Sequence, residues 1–210
     1  MPPGDAIIDI RPAILYFGTP VALITTLDAR GRANITPMSS VWALGDRLVL
    51  GLAAASQGCA NLLDRREGVV NLPGPDQWPA VEAIAATTGR DPVPAYKKAM
   101  GYRHERDKFA LGGFTRLPSD RVAPPRIAEC PLQLEVRVLR SYEAAPDVDD
   151  EAPPGFLTIE ARVEKVHAHE DIVVPGTQRI RTDRWSPLLY VFRHYFGTGE
   201  RFGRNFRAED

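Results

Sequence analysis

The alternation of apolar and polar residues along the chain predicts a protein built mainly from β-strands. Residues 132–142 and 156–167 alternate in the way expected of strands with one face on a core and the other in water. Residues 21–26 are short, apolar and β-branched, and residues 47–52 form an apolar run that fits a strand buried on both faces. Because no βαβ unit repeats, the pattern favours a small antiparallel barrel with helical insertions.

Turn and cap signals separate these strands and predict short helices. Residues 28–31 form a turn of small and polar residues, and Pro37 lacks a backbone donor, so residues 36–40 are expected to form an interrupted or bulged strand. Ser56 is a candidate N-cap for a helix that ends near Gly68. Three further helices are predicted, at residues 78–86, 95–100 and 105–109.

Composition and charge narrow the function without identifying it. A chain of 210 residues with 44% hydrophobic content is sufficient for one domain, residues 1–210, with a substantial core. A formal net charge of −1 gives no general attraction to nucleic acid or to an anionic membrane. The N-terminus lacks the pattern of a signal peptide and no apolar run has the length of a membrane span, so a cytoplasmic protein is expected. Two cysteines alone predict reduced thiols.

Several apparent motifs have simpler interpretations. Residues 197–203 resemble a dinucleotide-binding loop, but the last spacing is one residue too long, so a plain turn is favoured. His167 and His169 fall on one face of a strand without an evident third ligand, which favours a solvated strand end over a metal site. Residues 143–155 are acidic and rich in proline and alanine, as expected of a mobile hairpin tip. No metal site is predicted.

An ordered set of short motifs resembles the flavin reductase-like family. The sequence GRANITPMSS lies between two strand signals, followed by a small-residue loop that ends at Ser56 and by Asn61-Leu62. Asp107-Lys108-Phe109 and the segment at residues 123–135 follow in the same order as in the family. The resemblance implies a fold that is mainly β with α insertions, an antiparallel, Greek-key-like, FMN-binding split β-barrel of the flavoredoxin-like branch.

The resemblance also implies where the cofactor is bound. The loop around Met38 and Ser39 would follow the isoalloxazine ring, the helix start would hold ribityl and phosphate oxygens, and Lys108 would bring positive charge to the phosphate. The implied cofactor-contacting residues are Thr36, Pro37, Met38, Ser39, Ser40, Ser56, Gly58, Cys59, Asn61, Lys108 and Tyr195. By residue type alone, Thr36, Ser39 and Ser40 are more typical of a turn or an edge strand, and Cys59 is more typical of a buried filler. Lys108 is equally typical of a solvated helix lysine.

Two positions depart from the family's pattern. The family usually has a threonine three residues before the asparagine of the helix start, and this chain has Gly58 there, so a hydroxyl contact is lost and the amides of Gly58 and Cys59 remain for the phosphate. Some relatives carry a histidine near the ring on the strand that corresponds to residues 156–162, and this chain has none. No catalytic residue is assigned.

The C-terminal segment at residues 185–196 holds five aromatic residues and a histidine. Packing in a core or in a dimer interface is the favoured interpretation, and stacking of Tyr195 near the flavin or the nicotinamide is the alternative. The arginines of this region are equally compatible with a dinucleotide phosphate and with a second subunit; they are Arg179, Arg181, Arg184 and Arg193.

The resemblance implies an oxidoreductase that binds FMN, with FAD as the alternative, and passes a hydride from NADH or NADPH to the flavin. The cofactor would carry the chemistry, so the absence of an acid–base pair is compatible with an enzyme. Two other functions remain open, a non-enzymatic flavin-binding electron-transfer protein and a flavin-dependent enzyme that acts on a specialised metabolite. A homodimer is expected, because the family builds its flavin pocket between two subunits.

Overall fold

The computed structural model describes residues 7–143 and 155–206. In chain order its strands are β1 (Phe17–Pro20), β2 (Ala22–Leu27), β3 (Ala33–Met38), β4 (Val41–Leu44), β5 (Arg47–Ala53), β6 (Glu67–Leu72), β7 (Thr87–Thr88), β8 (Arg103–His104), β9 (Arg116–Leu117), β10 (Arg126–Ile127), β11 (Leu132–Glu143), β12 (Phe156–Ala168), β13 (Leu189–Val191) and β14 (His194–Phe196). Its α-helices are α1 (Gln57–Arg65), α2 (Trp78–Ala85), α3 (Ala95–Ala99) and α4 (Lys108–Gly112), with short 3-10 helices at Pro75–Gln77 and Glu170–Ile172. Within these described residues, no helix is long and apolar enough to cross a membrane.

A seven-stranded antiparallel sheet in the order β3-β2-β6-β11-β12-β5-β4 forms the centre of the fold. In a flat sheet β2 and β5 would lie about 19 Å apart, at four strand spacings. Ile24 of β2 and Leu50 of β5 nevertheless belong to one buried cluster, so the sheet is curled into a barrel. Helix α1 contributes Leu62 to the same cluster.

The barrel is split between its two edge strands, β3 and β4. These strands are consecutive in the chain and are joined by Ser39 and Ser40, so the covalent chain bridges a gap that no strand pairing closes. Pro37 fits this position because an edge strand has one side that needs no backbone donor. The architecture is therefore an antiparallel split β-barrel with helical insertions, as the sequence predicted.

A second core lies outside the barrel and positions the helices. Leu23 of β2 points away from the barrel interior and packs in a cluster with Ile84 of α2 and Phe109 of α4. Leu188, which precedes β13, belongs to the same cluster. Because β2 is covered on both faces, α2, α4 and the C-terminal segment are fixed against the part of the sheet that leads to the split.

Several sequence predictions need correction. β5 alternates between buried and partly exposed residues, so it is not buried on both faces. Of the two forms predicted for residues 36–40, the interrupted strand is confirmed, because β3 ends at Met38 and β4 begins at Val41, and the bulge is absent, because β3 pairs with β2 in unbroken register. The last predicted helix begins at Lys108 instead of residue 105, because Asp107 caps its N-terminus by accepting a hydrogen bond from the Ala110 amide. The proposed hairpin tip, at residues 144–154, lies outside the described residues.

Candidate functional site

A cavity of about 820 Å³ opens beside the split of the barrel. Its walls come from the β3–β4 junction, from the segment between α2 and α4, and from the C-terminal hairpin β13–β14. A volume of this size falls in the range of small-molecule and cofactor sites. Most of the predicted cofactor-contacting residues line it, namely Thr36, Pro37, Met38, Ser39, Ser40, Ser56, Lys108 and Tyr195.

The β3–β4 junction forms one wall of the cavity. Ser39 is buried, and Ser40 shares a hydrogen bond of 3.0 Å with the Tyr16 hydroxyl, which also lines the cavity. The Ser40 carbonyl accepts a 2.8 Å hydrogen bond from the Gly51 amide, which anchors the junction to β5. Backbone at a sheet edge leaves donors and acceptors unpaired, so this wall can bind the polar edge of a flat ligand.

The start of α1 reaches the cavity only through its first residues. Ser56 caps the helix as predicted, because its Oγ accepts a 3.1 Å hydrogen bond from the Cys59 amide. Cys59 is fully buried in the barrel core, and the buried Asn61 side chain donates to Thr26 Oγ1 and accepts from Gln57 Nε2. The geometry does not support the prediction that Cys59 and Asn61 contact the cofactor, since neither lines the cavity and the Cys59 amide is already bonded.

Gly58 also lies outside the cavity lining, because the side chain of Thr36 lies between it and the cavity. A Cβ atom at residue 58 would lie 2.2 Å from Thr36 Oγ1, which is far inside van der Waals contact. Thr36 itself lines the cavity, and its Oγ1 accepts a 3.0 Å hydrogen bond from Asn34. The threonine hydroxyl that the family pattern leads one to expect at residue 58 is therefore replaced in this volume by the hydroxyl of Thr36 on the neighbouring strand.

Lys108 is the most unusual residue of the cavity. Its side chain is buried, and its Nζ donates a 2.8 Å hydrogen bond to the Ile35 carbonyl. No carboxylate pairs with it among the described residues. Burial, and secondarily the nearby Lys97 amine, lowers the pKa of Lys108 from 10.5 to about 8, although Glu105 acts in the opposite direction. The cavity therefore contains a desolvated cation without a counter-ion, and the alternative of a solvated helix lysine is wrong.

The segment around α3 adds more polar groups that the sequence did not single out. Lys97 lines the cavity with its amine 5.4 Å from the centre of the Tyr102 ring, and burial together with Arg90 lowers the pKa of that amine. The hydroxyl of Tyr96 is buried and has no hydrogen-bond partner in the described part of the chain. In the sequence these residues only completed a short helix after a proline-rich turn, and no local pattern marked them.

Aromatic side chains form another wall of the cavity. Tyr190 packs against Tyr16 with ring centres 5.4 Å apart and against Tyr195 at 5.7 Å, and Trp78 follows at 6.3 Å from Tyr195. The Tyr195 hydroxyl donates a 3.0 Å hydrogen bond to Glu82 Oε2. Burial raises the pKa of the Tyr195 phenol, and the hydrogen bond to Glu82 raises it further. The C-terminal aromatics thus contribute both to the second core and to the cavity.

A separate buried cluster surrounds Glu135 on the far side of β11. Glu135 is fully buried and accepts hydrogen bonds from the amides of residues 120–122 and from His167 Nε2, the last at 2.6 Å. His169 bonds the Ala128 carbonyl at 2.8 Å. The interpretation of these histidines as a solvated strand end is therefore wrong. Glu135, His167 and Asp120 lie within metal-ligand distance of one another, but the Glu135 oxygens are already occupied by donors, so the cluster fixes a loop.

Comparisons with known proteins agree with the fold. Residues 14–199 match the family model described as "Flavin reductase like domain". The uncharacterized protein YdfE of Bacillus subtilis (strain 168) is 40% identical over 205 residues, which cover 96% of this chain and 94% of that protein.

Solved structures with similar folds include two that cover nearly the whole chain. Flavoredoxin of Desulfovibrio vulgaris (Miyazaki F) has a TM-score of 0.77 at 18% identity and covers 97% of this chain and 99% of its own. Nitrilotriacetate monooxygenase component B from Bacillus cereus has a TM-score of 0.73 at 18% identity, with coverages of 95% and 100%. Because the domain model matches residues 14–199, which is most of the sequence, the chain belongs to the flavin reductase-like family.

Proposed function

We propose that the cavity binds FMN and that the protein is an NAD(P)H-dependent flavin oxidoreductase. Membership of the family implies a flavin cofactor and oxidoreductase-type chemistry. The choice of the mononucleotide rests on the cavity itself, which is lined by a desolvated cation, by aromatic side chains and by edge-strand backbone. A phosphorylated, flat molecule matches these groups.

The observation that carries the proposal is the unpaired, buried amine of Lys108. Burying a charge is unfavourable unless a partner of opposite charge compensates, and Lys108 has only the Ile35 carbonyl. A phosphate would supply that compensation through a charge-assisted hydrogen bond. The unsatisfied Tyr96 hydroxyl and the Lys97 amine face the same cavity and would add donors to the same anion.

The remaining cavity residues would orient the ring. Edge-strand backbone at Met38 and Ser39 would meet the polar side of the isoalloxazine, and Tyr195 also lines the cavity. A bound flavin supplies a two-electron acceptor that the protein's own side chains lack. The chain's contribution is therefore to position the flavin, to exclude water from one side of it, and to leave the other side open for an electron donor.

The test compares two lysine variants with two flavins. Lys108→Ala is expected to weaken FMN binding by about 10- to 150-fold, the equivalent of one charge-assisted hydrogen bond. Riboflavin, which lacks the phosphate, should bind parent and variant within about threefold. Lys98→Ala is the matched control, because Lys98 lies on α3, is exposed and does not line the cavity.

Fluorescence-quench titrations measure all six affinities. Equal losses of affinity for both flavins in Lys108→Ala would show that the residue supports the fold or the flavin ring. Unchanged FMN affinity would show that Lys108 does not contact the phosphate. A parallel titration with FAD establishes which flavin the cavity prefers, because FAD also carries phosphate but adds an adenosine that the cavity has to accommodate.

Reduction assays separate the oxidoreductase from the other two candidates. Catalytic loss of NADH or NADPH absorbance in the presence of excess free FMN supports a flavin reductase. Bleaching of only one equivalent of bound flavin, or none, supports a non-enzymatic electron-transfer protein. Turnover that begins only when an organic acceptor is added supports an enzyme of specialised metabolism.

A further inference from the structure

We infer that Arg193 binds the diphosphate of the nicotinamide dinucleotide that donates the hydride, an inference that rests on the proposed function. Arg193 lines the cavity from the hairpin β13–β14, next to the aromatic wall. Its position gives the cavity a third cationic group, in addition to the buried Lys108 and the partly buried Lys97.

The hairpin tip holds Arg193 in an unfavourable backbone conformation. Val191 pairs with His194, so Phe192 and Arg193 form a two-residue loop, and their φ angles are 43° and 73°. Positive φ at both loop residues defines a type I′ turn, in which glycine and asparagine are preferred and a bulky residue such as phenylalanine is strained. Strain of this kind persists where the surrounding structure enforces it, often at a ligand site. The Phe192 amide is held by a 2.7 Å hydrogen bond to the Tyr16 carbonyl.

The guanidinium of Arg193 has no internal role that would explain this conformation. Across the described residues it makes no hydrogen bond and no ion pair. By contrast, Arg181 pairs with Asp183 at 2.9 Å, and neither Arg181 nor Arg184 lines the cavity. Of the C-terminal arginines that the sequence offered as dinucleotide contacts, Arg193 is therefore the one that faces the cavity with its donors available.

Arg193 is a cationic group of the cavity in addition to Lys108 and Lys97. Arg193 acts electrostatically on the Tyr190 hydroxyl, and the charged groups that act on the Lys108 amine are Lys97 and Glu105. FMN carries a single phosphate, which Lys108 would bind. Arg193 would remain for a second anionic ligand, beside the aromatic wall.

The chemistry of that wall fits a dinucleotide. The planar guanidinium offers a fork of donors that matches phosphate oxygens, and the neighbouring Tyr190 and Tyr195 rings provide faces for a flat heterocycle. The Glu82 carboxylate is the acidic group on this wall, and its Oε2 accepts the Tyr195 hydrogen bond. A nicotinamide dinucleotide joins flat heterocycles to a diphosphate, and its ring has to lie beside the flavin.

The test uses ADP-ribose, the part of the dinucleotide that carries the diphosphate without the reactive ring. Arg193→Gly removes the guanidinium and places the residue type that the turn prefers, so the variant should melt no lower than the parent. We expect calorimetric titration to show ADP-ribose affinity lowered about 10- to 100-fold in Arg193→Gly and by a smaller factor in Arg193→Lys, which keeps the charge without the fork. Arg184→Ala is the matched control and should bind like the parent.

FMN titrations with the same variants make the outcome independent of the proposed function. We expect Arg193→Gly to bind FMN within about threefold of the parent, and Lys108→Ala to show the reverse pattern. Equal losses of FMN and ADP-ribose in Arg193→Gly would overturn the inference, as would a parent protein that does not bind ADP-ribose, or an Arg193→Gly variant that binds it normally. A variant that loses ADP-ribose only because its sedimentation mass changes would assign Arg193 to a subunit interface instead. Failure of FMN to bind the parent would contradict the proposed function while leaving the ADP-ribose comparison intact.

Discussion

Replacing Lys108 with methionine should make the flavin-free protein more stable and should abolish its preference for phosphorylated flavins. Methionine is unbranched and flexible, so it can fill the space of the lysine stem without the charge. The side chain is buried and no carboxylate compensates its amine within the described residues. A group that is needed for binding is thus expected to reduce the stability of the empty protein.

The magnitude follows from the pKa of Lys108. Burial lowers it from 10.5 to about 8, which corresponds to about 3 kcal/mol of unfavourable free energy for the protonated form at pH 7. Methionine removes this term and also removes the hydrogen bond to the Ile35 carbonyl, worth about 1 kcal/mol. The free energy of unfolding should therefore rise by about 2 kcal/mol, which raises Tm by roughly 4–8 °C for a chain of this size.

The dependence on pH distinguishes this cause from a general improvement in packing. Between pH 8 and pH 10.5 the unfolded chain retains a proton that the folded chain has released, so the unfolding free energy of the parent rises with pH relative to the variant. Other titrating groups are common to both proteins and cancel in the difference. The variant should be the more stable protein at pH 7, and the parent should become the more stable one by about 1 kcal/mol above pH 10.5.

Chemical denaturation of both flavin-free proteins in phosphate-free buffer at pH 7, 9 and 10.5 measures the difference. Phosphate has to be absent, because an anion bound to the parent would stabilise it by mass action. A difference that stays constant with pH, or a parent that is already more stable at pH 7, would refute the conclusion that Lys108 is buried as an uncompensated cation.

Three further predictions concern assembly, the segment outside the described residues, and the Glu135 cluster. We predict a homodimer formed partly by residues 185–196, where Phe192 and Phe196 remain exposed, and a sedimentation mass of one chain at micromolar concentration would contradict it. Replacing residues 144–154 by a short turn should leave FMN affinity within about threefold, whereas a large loss in a folded variant would show that they cover the site. Glu135→Gln should lower the unfolding free energy by about 2–4 kcal/mol in denaturation, and the exposed Glu143→Gln should not. Burial raises the pKa of Glu135, but hydrogen bonds from the Asp120 amide and from His167 outweigh it and lower the pKa below 4.5. The greater stability of the parent should therefore disappear as pH falls below that value, and a stability difference that is unchanged at low pH would contradict this role.

Local patterns in the sequence were sufficient for the main strands of the seven-stranded sheet and for the cap of α1. Alternation and turn chemistry are properties of neighbouring residues, so residues 132–142 and 156–167 could be identified as paired strands with ends close to those observed. The same reasoning placed Glu135 and Gln133 on a solvated face and was wrong. Their partners come from loops that lie elsewhere in the chain, including the amides of residues 120–122 and the carbonyls of Ile127 and Cys130.

The cavity was predictable on one side only. The resemblance to the family led to the β3–β4 junction, Ser56 and Lys108, all of which line it. Two of the further contributors, Tyr96 and Lys97, come from the chain between α2 and α4, where β7 pairs in parallel with β8. A short helix of mixed composition carries no sign of which of its side chains will be buried against a distant strand, so tertiary structure was needed to find them.

Thr36 and Gly58 divide one small volume between two elements of the fold, and this links their evolution. With Thr36 present, any side chain at residue 58 meets its Oγ1, so a return to threonine at residue 58 requires a smaller residue at position 36. Each single exchange passes through an intermediate that is either overpacked or lacks the hydroxyl. Across related chains the two positions should therefore change together, with one hydroxyl conserved although its place in the sequence moves by 22 residues.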